Sequence, residues 1–439
     1  MHGSGIATWN IATSASLPRL QHAISFCHSC LIATRHVTNL KAYSMNAPVF
    51  PVFKVTREEL KSASAPIAVA QGLPNWLYAG ADSLVTEKKT VFAPGWAGIG
   101  FAKDVANIGD VKPITFLGAP LLLVRDRDNQ VRVFQNSCRH RGVVLVDEPK
   151  NTTGLIRCPY HAWCYNLKGE LKQTPHVGGP GIHEHPSIDK ATLGLVEIRS
   201  HVYLDVVFVN LSGDAAPFEE YFATMLERWH DYARPVYHGG ADSSFKLEVD
   251  TNWKLAVENY CESYHLPFVH PGLNSYSRLE DHENILGDGP WSGQLTRVYN
   301  PQLDADGRKF AEFDGLPARW NSNAEYLAVY PNVLMGVHKD HTFAIILEPV
   351  DHGRTIEHVE IFYTSPDMLG SDWDEMRKRN SDLWKTVFAE DVGVVESMQR
   401  GRKASAFDGG HFSPVMDEST HHFHSWIASQ FLDKAGAAE

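Results

Sequence analysis

Cys138 and His140 are separated by one residue, and Cys158 and His161 by two, with 17 residues between the pairs. Thiolates and imidazoles are metal ligands of different charge. Two of each suit the two irons of one [2Fe–2S] cluster in the Rieske arrangement, where a histidine pair replaces a cysteine pair. Neutral imidazoles carry less negative charge than thiolates, so such a cluster accepts an electron more readily, at about −150 to +300 mV. Zinc takes the same ligand types, but its usual spacings pair Cys with Cys and His with His. Each pair follows a strand-like run, VRVFQN before Cys138 and GLIR before Cys158. This predicts two hairpin tips clamping one cluster.

A second set lies downstream. In NWKLAVENYCESYHLPFVHPGL, His265 and His270 are five apart, and Pro267 prevents a helix from continuing cleanly past His265. Val257, Tyr260, Cys261 and Tyr264 run at helical spacing, with His265 at the edge of that inward stripe. On a later helix, Trp384, Val387, Phe388, Val394, Val395 and Met398 form an apolar face that also carries Asp391. A buried carboxylate without a partner is costly, and a metal is its strongest partner. Two His and one carboxylate with open positions form the facial triad of non-haem Fe(II) oxygenases. Taken alone, the same residues read as a core His pair and a salt-bridged Asp; the cluster ligands upstream favour iron. Glu390 and Glu396 are the next carboxylates to consider.

These residues need elements to position them. From Trp96 to about Val209 the signals are short strands: PITFLG, PLLLVRD, QVRVFQN and TLGLVEIRSHVYLDVVFVNL. Turns are expected at Asp126–Asn129 and Lys168-Gly169. From Leu211 onward the pattern is α+β, with strands FKLEVDTNW, YLAVYPNVLMGVH, TFAIILEPV and TIEHVEIFYTS, and helices over Trp253–Leu266 and Asp372–Gln399. The expected organisation is an N-terminal extension over 1–45, a first part of the catalytic domain over 46–95 with a short helix near Arg57–Ser62, a β-rich cluster domain over 96–210, and a mononuclear iron domain over 211–439.

CRH…CPYHAW, NWK…ENY…YH…H and the late EDVGVVESMQRG together resemble the catalytic α subunit of Rieske non-haem iron oxygenases. The resemblance runs from about residue 70 to the end. It implies an α+β fold with a β-rich Rieske domain and a helix-grip catalytic domain. It also implies head-to-tail assembly as a homotrimer or hexamer, in which the cluster of one subunit serves the iron of its neighbour. A carboxylate bridges a cluster His and an iron His across that interface. Most members carry Asp there; this chain has Glu262, three before His265, and so resembles the branch acting on quaternary amines such as carnitine. Its role would be to orient the two imidazoles; a solvated helix residue is the bland alternative. Asn259, in the ENY motif, falls within the same implied catalytic site. The ending GRKASAFDGGHFSPVMDESTHHFHSWIA also looks like choline and carnitine monooxygenases. A quaternary ammonium is read by aromatic faces, for which Tyr203, Trp253, Tyr260, Tyr330 and Trp384 are candidates. His421, His422 and His424 read as strand and surface residues.

No G-x-G-x-x-G follows a strand, so electrons are expected from separate NAD(P)H-dependent reductase or ferredoxin components. The expected chemistry is O2-dependent monooxygenation of a quaternary amine. Dihydroxylation or demethylation of an aromatic is the second reading. A Rieske electron carrier is the non-enzymatic one, and the long C-terminal half argues against it. The net charge of −12 argues against nucleic acid and anionic membrane surfaces. No run of 18 apolar residues predicts a transmembrane helix. Six cysteines in 439 residues make no disulfide framework and fit a reducing, cytoplasmic compartment. The first acid is Glu58, behind a Ser-rich stretch with Arg19, Arg35 and Lys41. That leader is expected to be disordered: either an organellar transit peptide for plastid or mitochondrion, or sequence ahead of a true start at Met45, which MNAPVFPVF favours. Cys27 and Cys30 lack a βαβ context and read as incidental thiols.

Overall fold

The computed structural model describes residues 55–301, 303 and 308–436. The expectations for the leader, for Cys27 and Cys30 and for a start at Met45 lie outside the described residues.

Seven antiparallel strands form the first sheet, in the order Ala97–Phe101, Val206–Asn210, Glu197–Tyr203, Val131–Gln135, Ala119–Arg125, Asp110–Phe116 and Lys150–Asn151. Its hairpins close where the sequence carries turn chemistry. The Asp126 carboxylate accepts from the backbone N–H groups of Asp128 and Gln130, both at 2.9 Å, while Asn129 takes the left-handed conformation at φ 60°. The run from Thr192 to Leu211 splits into two strands at Leu204-Asp205, both at positive φ. A second, three-stranded sheet, Leu155–Arg157, Cys164–Asn166 and Leu171–Gln173, stands beside it and turns at Gly169, φ 79°.

The second large sheet has eight antiparallel strands. Arg354–Tyr363 and His341–Asp351 pair along ten positions, and Val333–Val337, Ala324–Val329, Trp291–Thr296 and His282–Leu286 continue the sheet. On the other side of Arg354–Tyr363 lie Tyr237–His238 and Ser244–Val249. The 28-residue helix Asp374–Gly401 packs on this sheet, its Trp384 and Phe388 rings 4.6 and 5.3 Å from Phe343. The sheet and helix give the helix-grip half of the fold. Trp384, Val387, Phe388 and Val395 are buried, as the helical period requires.

Three details differ from the sequence reading. The Trp253 helix ends at Cys261 rather than Leu266: Glu262 is extended, and its carboxylate accepts from the Tyr264 and His265 backbone N–H groups. A new turn of helix, Leu266–Val269, then starts with Pro267 in its first turn, where the missing N–H costs nothing. This break leaves Tyr264 exposed rather than inward. His421, His422 and His424 are not strand residues; they lie in the helix Glu418–Gly436, and His424 is buried. Its buried residues Phe423, Ile427, Ala428 and Phe431 recur at helical spacing and share their face with Ser419 and His424.

Candidate metal centres and substrate cavity

Two hairpin tips bring Cys138, His140, Cys158 and His161 together. At each tip the cysteine N–H bonds back across its loop, Cys138 to the Val143 carbonyl and Cys158 to the Trp163 carbonyl, both at 2.8 Å. Gly142 and Ala162 take positive φ to make these tight turns. Both thiols are buried, while the His140 and His161 rings lie 4.7 Å apart toward the surface. His140 stacks on Trp163 at 4.7 Å and 10°. Burial pushes the Cys138 thiol up, and Cys158 beside it adds to that. The His161 Nδ1 is buried with no hydrogen-bond partner. A buried nitrogen without a partner and paired buried thiols fit a [2Fe–2S] cluster bound through two Sγ and two ring nitrogens. The sequence reading missed Tyr165, whose hydroxyl lies 3.3 Å from Cys138 Sγ and accepts from the Arg139 N–H at 3.0 Å. Hydrogen bonds to cluster sulfur tune potential.

The second centre sits where the broken helix meets the long one. His265 Nε2 and His270 Nε2 lie 3.6 and 3.0 Å from Asp391 Oδ1, and the three ligand atoms fall within 4.8 Å of one another. The second ring nitrogen of each imidazole faces a carboxylate: His265 Nδ1 meets Glu262 Oε1 at 2.6 Å, and His270 Nδ1 meets Glu390 Oε2 at 2.8 Å. Such backing fixes which nitrogen faces a metal. Burial alone would lower the His270 pKa, but Asp391 and Glu390 outweigh it and hold it above the ordinary value. The site therefore favours positive charge, and its two imidazoles and carboxylate fit one iron with open positions. Asn259 donates to Asp391 Oδ1 at 3.1 Å, so it steers that carboxylate. Glu390 backs His270 instead of joining the triad, and Glu396 turns away to the Asp250 backbone N–H at 3.2 Å. Adjacency to Asp391 was the one sequence signal for Glu390.

A cavity opens at this triad, walled by Tyr260, Tyr326, Phe343, Trp384 and Phe388. Tyr260 and Trp384 were among the aromatic candidates. Tyr203, Trp253 and Tyr330 are not in this wall but in the packed core. Trp253 donates its indole N–H to buried Glu87 at 2.9 Å, and the Tyr330 hydroxyl meets Ser292 at 2.5 Å. Tyr326, Phe343 and Phe388 reach the cavity through strand pairing and helix rotation, which a search for aromatic types could not rank.

Comparison with known proteins places both halves. Residues 95–187 match the Rieske [2Fe-2S] domain, and residues 226–432 match the ring hydroxylating alpha subunit (catalytic domain). The chain is 27% identical over 372 residues to the carnitine monooxygenase oxygenase subunit of Escherichia coli (strain K12), covering 82% of this chain and 94% of that one. It is 25% identical over 379 residues to the chloroplastic choline monooxygenase of Arabidopsis thaliana, covering 82% of each. The crystal structure of the quaternary ammonium Rieske monooxygenase CntA with L-carnitine superposes with a TM-score of 0.69 at 23% identity, over 86% of this chain and 99% of that one. That likeness shows the shared fold. Among the described residues, no helix is long and apolar enough to cross a membrane.

Proposed function

Because the chain belongs to the Rieske non-haem iron oxygenase α subunits, we propose that it monooxygenates a quaternary amine of the carnitine, choline or betaine type. The observation that carries the reading is the convergence of His265, His270 and Asp391 on one point of an aromatic cavity. These three residues would hold an iron that supplies O2 activation, and Cys138, His140, Cys158 and His161 would hold a Rieske cluster that supplies electrons. The chain's own part is to orient and to exclude water. Glu262 and Glu390 hold the two imidazoles, Asn259 steers the Asp391 carboxylate, and the aromatic wall keeps the reacting carbon dry. A methylated ammonium suits that wall because it needs no hydrogen bonds and is drawn to aromatic faces. The relatives named for carnitine and choline support the substrate class.

We assign residues 96–210 to the Rieske domain and the flanking segments 55–95 and 211–436 to the catalytic domain. The electron donor is a separate reductase, as is usual in the family. We further assign a head-to-tail trimer, or a hexamer of two. In support, Tyr264 and Phe268 beside the iron triad are 48% and 79% exposed, and Tyr160 beside His161 is 56% exposed. Exposed aromatics at both centres suit the joining of one tip to the next subunit's mouth. Four described cysteines are free, which suits a reducing compartment.

The test is substrate-stimulated O2 uptake with a surrogate reductase, together with iron content and EPR. Expected are about three irons per chain, a Rieske-type signal on reduction, and uptake stimulated by carnitine, choline or a betaine. About two irons per chain would mean an electron carrier. Stimulation by aromatics instead of quaternary amines would move the substrate class. Zinc, or the signal of an all-cysteine cluster, would end the reading.

A further inference from the structure

Two amphipathic side chains of the cavity wall, Trp384 and Tyr326, have their polar ends held by one hairpin outside the wall. Trp384 donates its indole N–H to His341 Nε2 at 3.0 Å. His341 in turn pairs its Nδ1 with Asp340 Oδ1 at 2.7 Å, which fixes Nε2 as the acceptor. The Tyr326 hydroxyl shares a hydrogen bond with His338 Nε2 at 3.2 Å. His338 and His341 belong to one hairpin, closed by the His338 N–H to the His341 carbonyl at 3.0 Å, and their rings stack at 4.2 Å and 5°. Both are fully enclosed, at 1% and 0% exposure. Burial, with His341 alongside, holds the His338 pKa well below its ordinary value, so this ring stays neutral. Gln294 also spends its amide elsewhere, donating to the Tyr260 and Glu262 carbonyls at 3.1 and 3.0 Å. The Tyr260 hydroxyl remains as the buried side-chain polar atom of this wall without a partner among the described residues.

We propose that the hairpin His338–His341 determines substrate specificity, by drawing the hydrogen-bonding ends of Trp384 and Tyr326 out of the cavity. The physical argument is a difference between guests. An N–H or O–H aimed into the cavity would present positive charge to a methylated ammonium and would offer a bond to a neutral, hydrogen-bond-accepting competitor. With the indole N–H donated to His341 and the Tyr326 hydroxyl held on His338, this part of the wall offers ring surface, to which a trimethylammonium group is suited. His341 and His338 touch no substrate; they are positioning residues that act through Trp384 and Tyr326. Asp340 acts one step further back, by holding the His341 tautomer. The inference rests on the quaternary-amine reading above.

The test is calorimetric binding to the oxidised holoenzyme without reductant, so that no turnover occurs. The probes are 4-trimethylammoniobutanoate and 5,5-dimethylhexanoate, which have the same shape with and without the positive charge. Wild type is expected to prefer the ammonium probe by tenfold or more, on the order of one desolvated cation–aromatic contact. His341→Leu frees the indole N–H and should weaken the ammonium probe about tenfold while changing the tert-butyl probe less than about twofold. Asp340→Asn is the gentler variant, because its side chain reaches the hairpin surface, and should shift the same ratio by a smaller factor in a folded protein. In a Trp384→Phe background no indole N–H exists, so adding His341→Leu should leave the ratio unchanged. A wild type without preference overturns both this inference and the quaternary-amine reading. A wild type with preference that both hairpin variants retain overturns this inference alone.

Discussion

At the scale of single residues, Asp391 is the member of the triad with the least alternative employment. Besides the two imidazoles, its Oδ1 meets only the Asn259 amide among the described contacts. Asp391→Ala should abolish turnover and release mononuclear iron, while the visible absorbance of the cluster survives, because Cys138 and Cys158 sit in a different sheet system. Iron per chain should fall by about one, with the Rieske EPR signal kept. Full activity would move the ligand to another carboxylate. Glu262 is a subtler case. Both of its oxygens are occupied within the chain, one by His265 Nδ1 and the other by backbone N–H groups. Glu262→Gln should keep both metals, since an amide still reaches the imidazole, but single-turnover reoxidation of the reduced cluster should slow sharply. Glu262→Asp keeps the charge and loses one methylene of reach; if it slows as well, geometry is the requirement. Wild-type rates in both would leave Glu262 as a cap of the Leu266 turn.

At the scale of elements, what decides the site is how the Trp253 helix is anchored. Its first turns carry Lys254 and Glu258 into the interior. Lys254 pairs with Glu87 at 2.5 Å, and Glu258 meets the Tyr78 hydroxyl at 2.5 Å, His424 at 3.1 Å and Arg402 at 3.5 Å. Burial alone would raise the Glu258 pKa; His424 and Arg402 outweigh it and leave it below the ordinary value. A carboxylate with a depressed folded pKa adds stability that is present above the unfolded value and lost as pH falls through the folded one. Thermal midpoints should therefore drop on acidification below about pH 4. Glu258→Gln should flatten that limb and cost about 3–5 kcal/mol at pH 7, because buried Arg402 loses its counter-charge. An unchanged acid limb would mean another group governs it. This network also explains what the sequence could and could not disclose. Cys138, His140, Cys158, His161, His265 and His270 announce themselves by type and spacing, and Asp391 by its place on an apolar helical face. His341 and Glu390 have no such signature. Their roles come from a strand hairpin meeting a helix and from one extra step along that helix. The end of the Trp253 helix at Cys261 was hidden for a related reason: helical periodicity continues through Tyr264, and only the Glu262 carboxylate, folding back on the next turn, breaks it. The C-terminal helix does bury one face, with Ser419, Phe423, Ile427 and Phe431 recurring every four residues, but polar Ser419 and His424 share that face and mask its apolar character in the sequence.

At the scale of the whole molecule, charge is unevenly spread. The chain carries −12 overall, yet the cluster tips display Arg139, Arg141 and Arg157, all exposed. The mouth of the iron site displays Glu390 beside exposed Tyr264 and Phe268, with Glu262 largely covered and paired to His265. A basic tip and an acidic mouth on one chain are complementary between copies, and a heterologous contact of that kind closes into a ring when its rotation allows. The proposed assembly can be tested by mixing two inactive chains. Cys158→Ala lacks the cluster but keeps the iron triad; Asp391→Ala lacks the iron but keeps the cluster. Alone, neither should turn over substrate. If electrons pass between neighbours, a co-expressed one-to-one mixture should recover about one quarter of wild-type activity, since a productive contact needs an intact cluster on one chain and an intact iron site on the next. If electrons pass within each chain, the mixture should remain inactive. High salt during assembly should lower the recovered activity, because the arginine and glutamate contacts are screened, while raising it after assembly should matter less. Recovery that ignores salt throughout would leave the ring in place but assign its cohesion to the aromatics at Tyr160, Tyr264 and Phe268 rather than to charge.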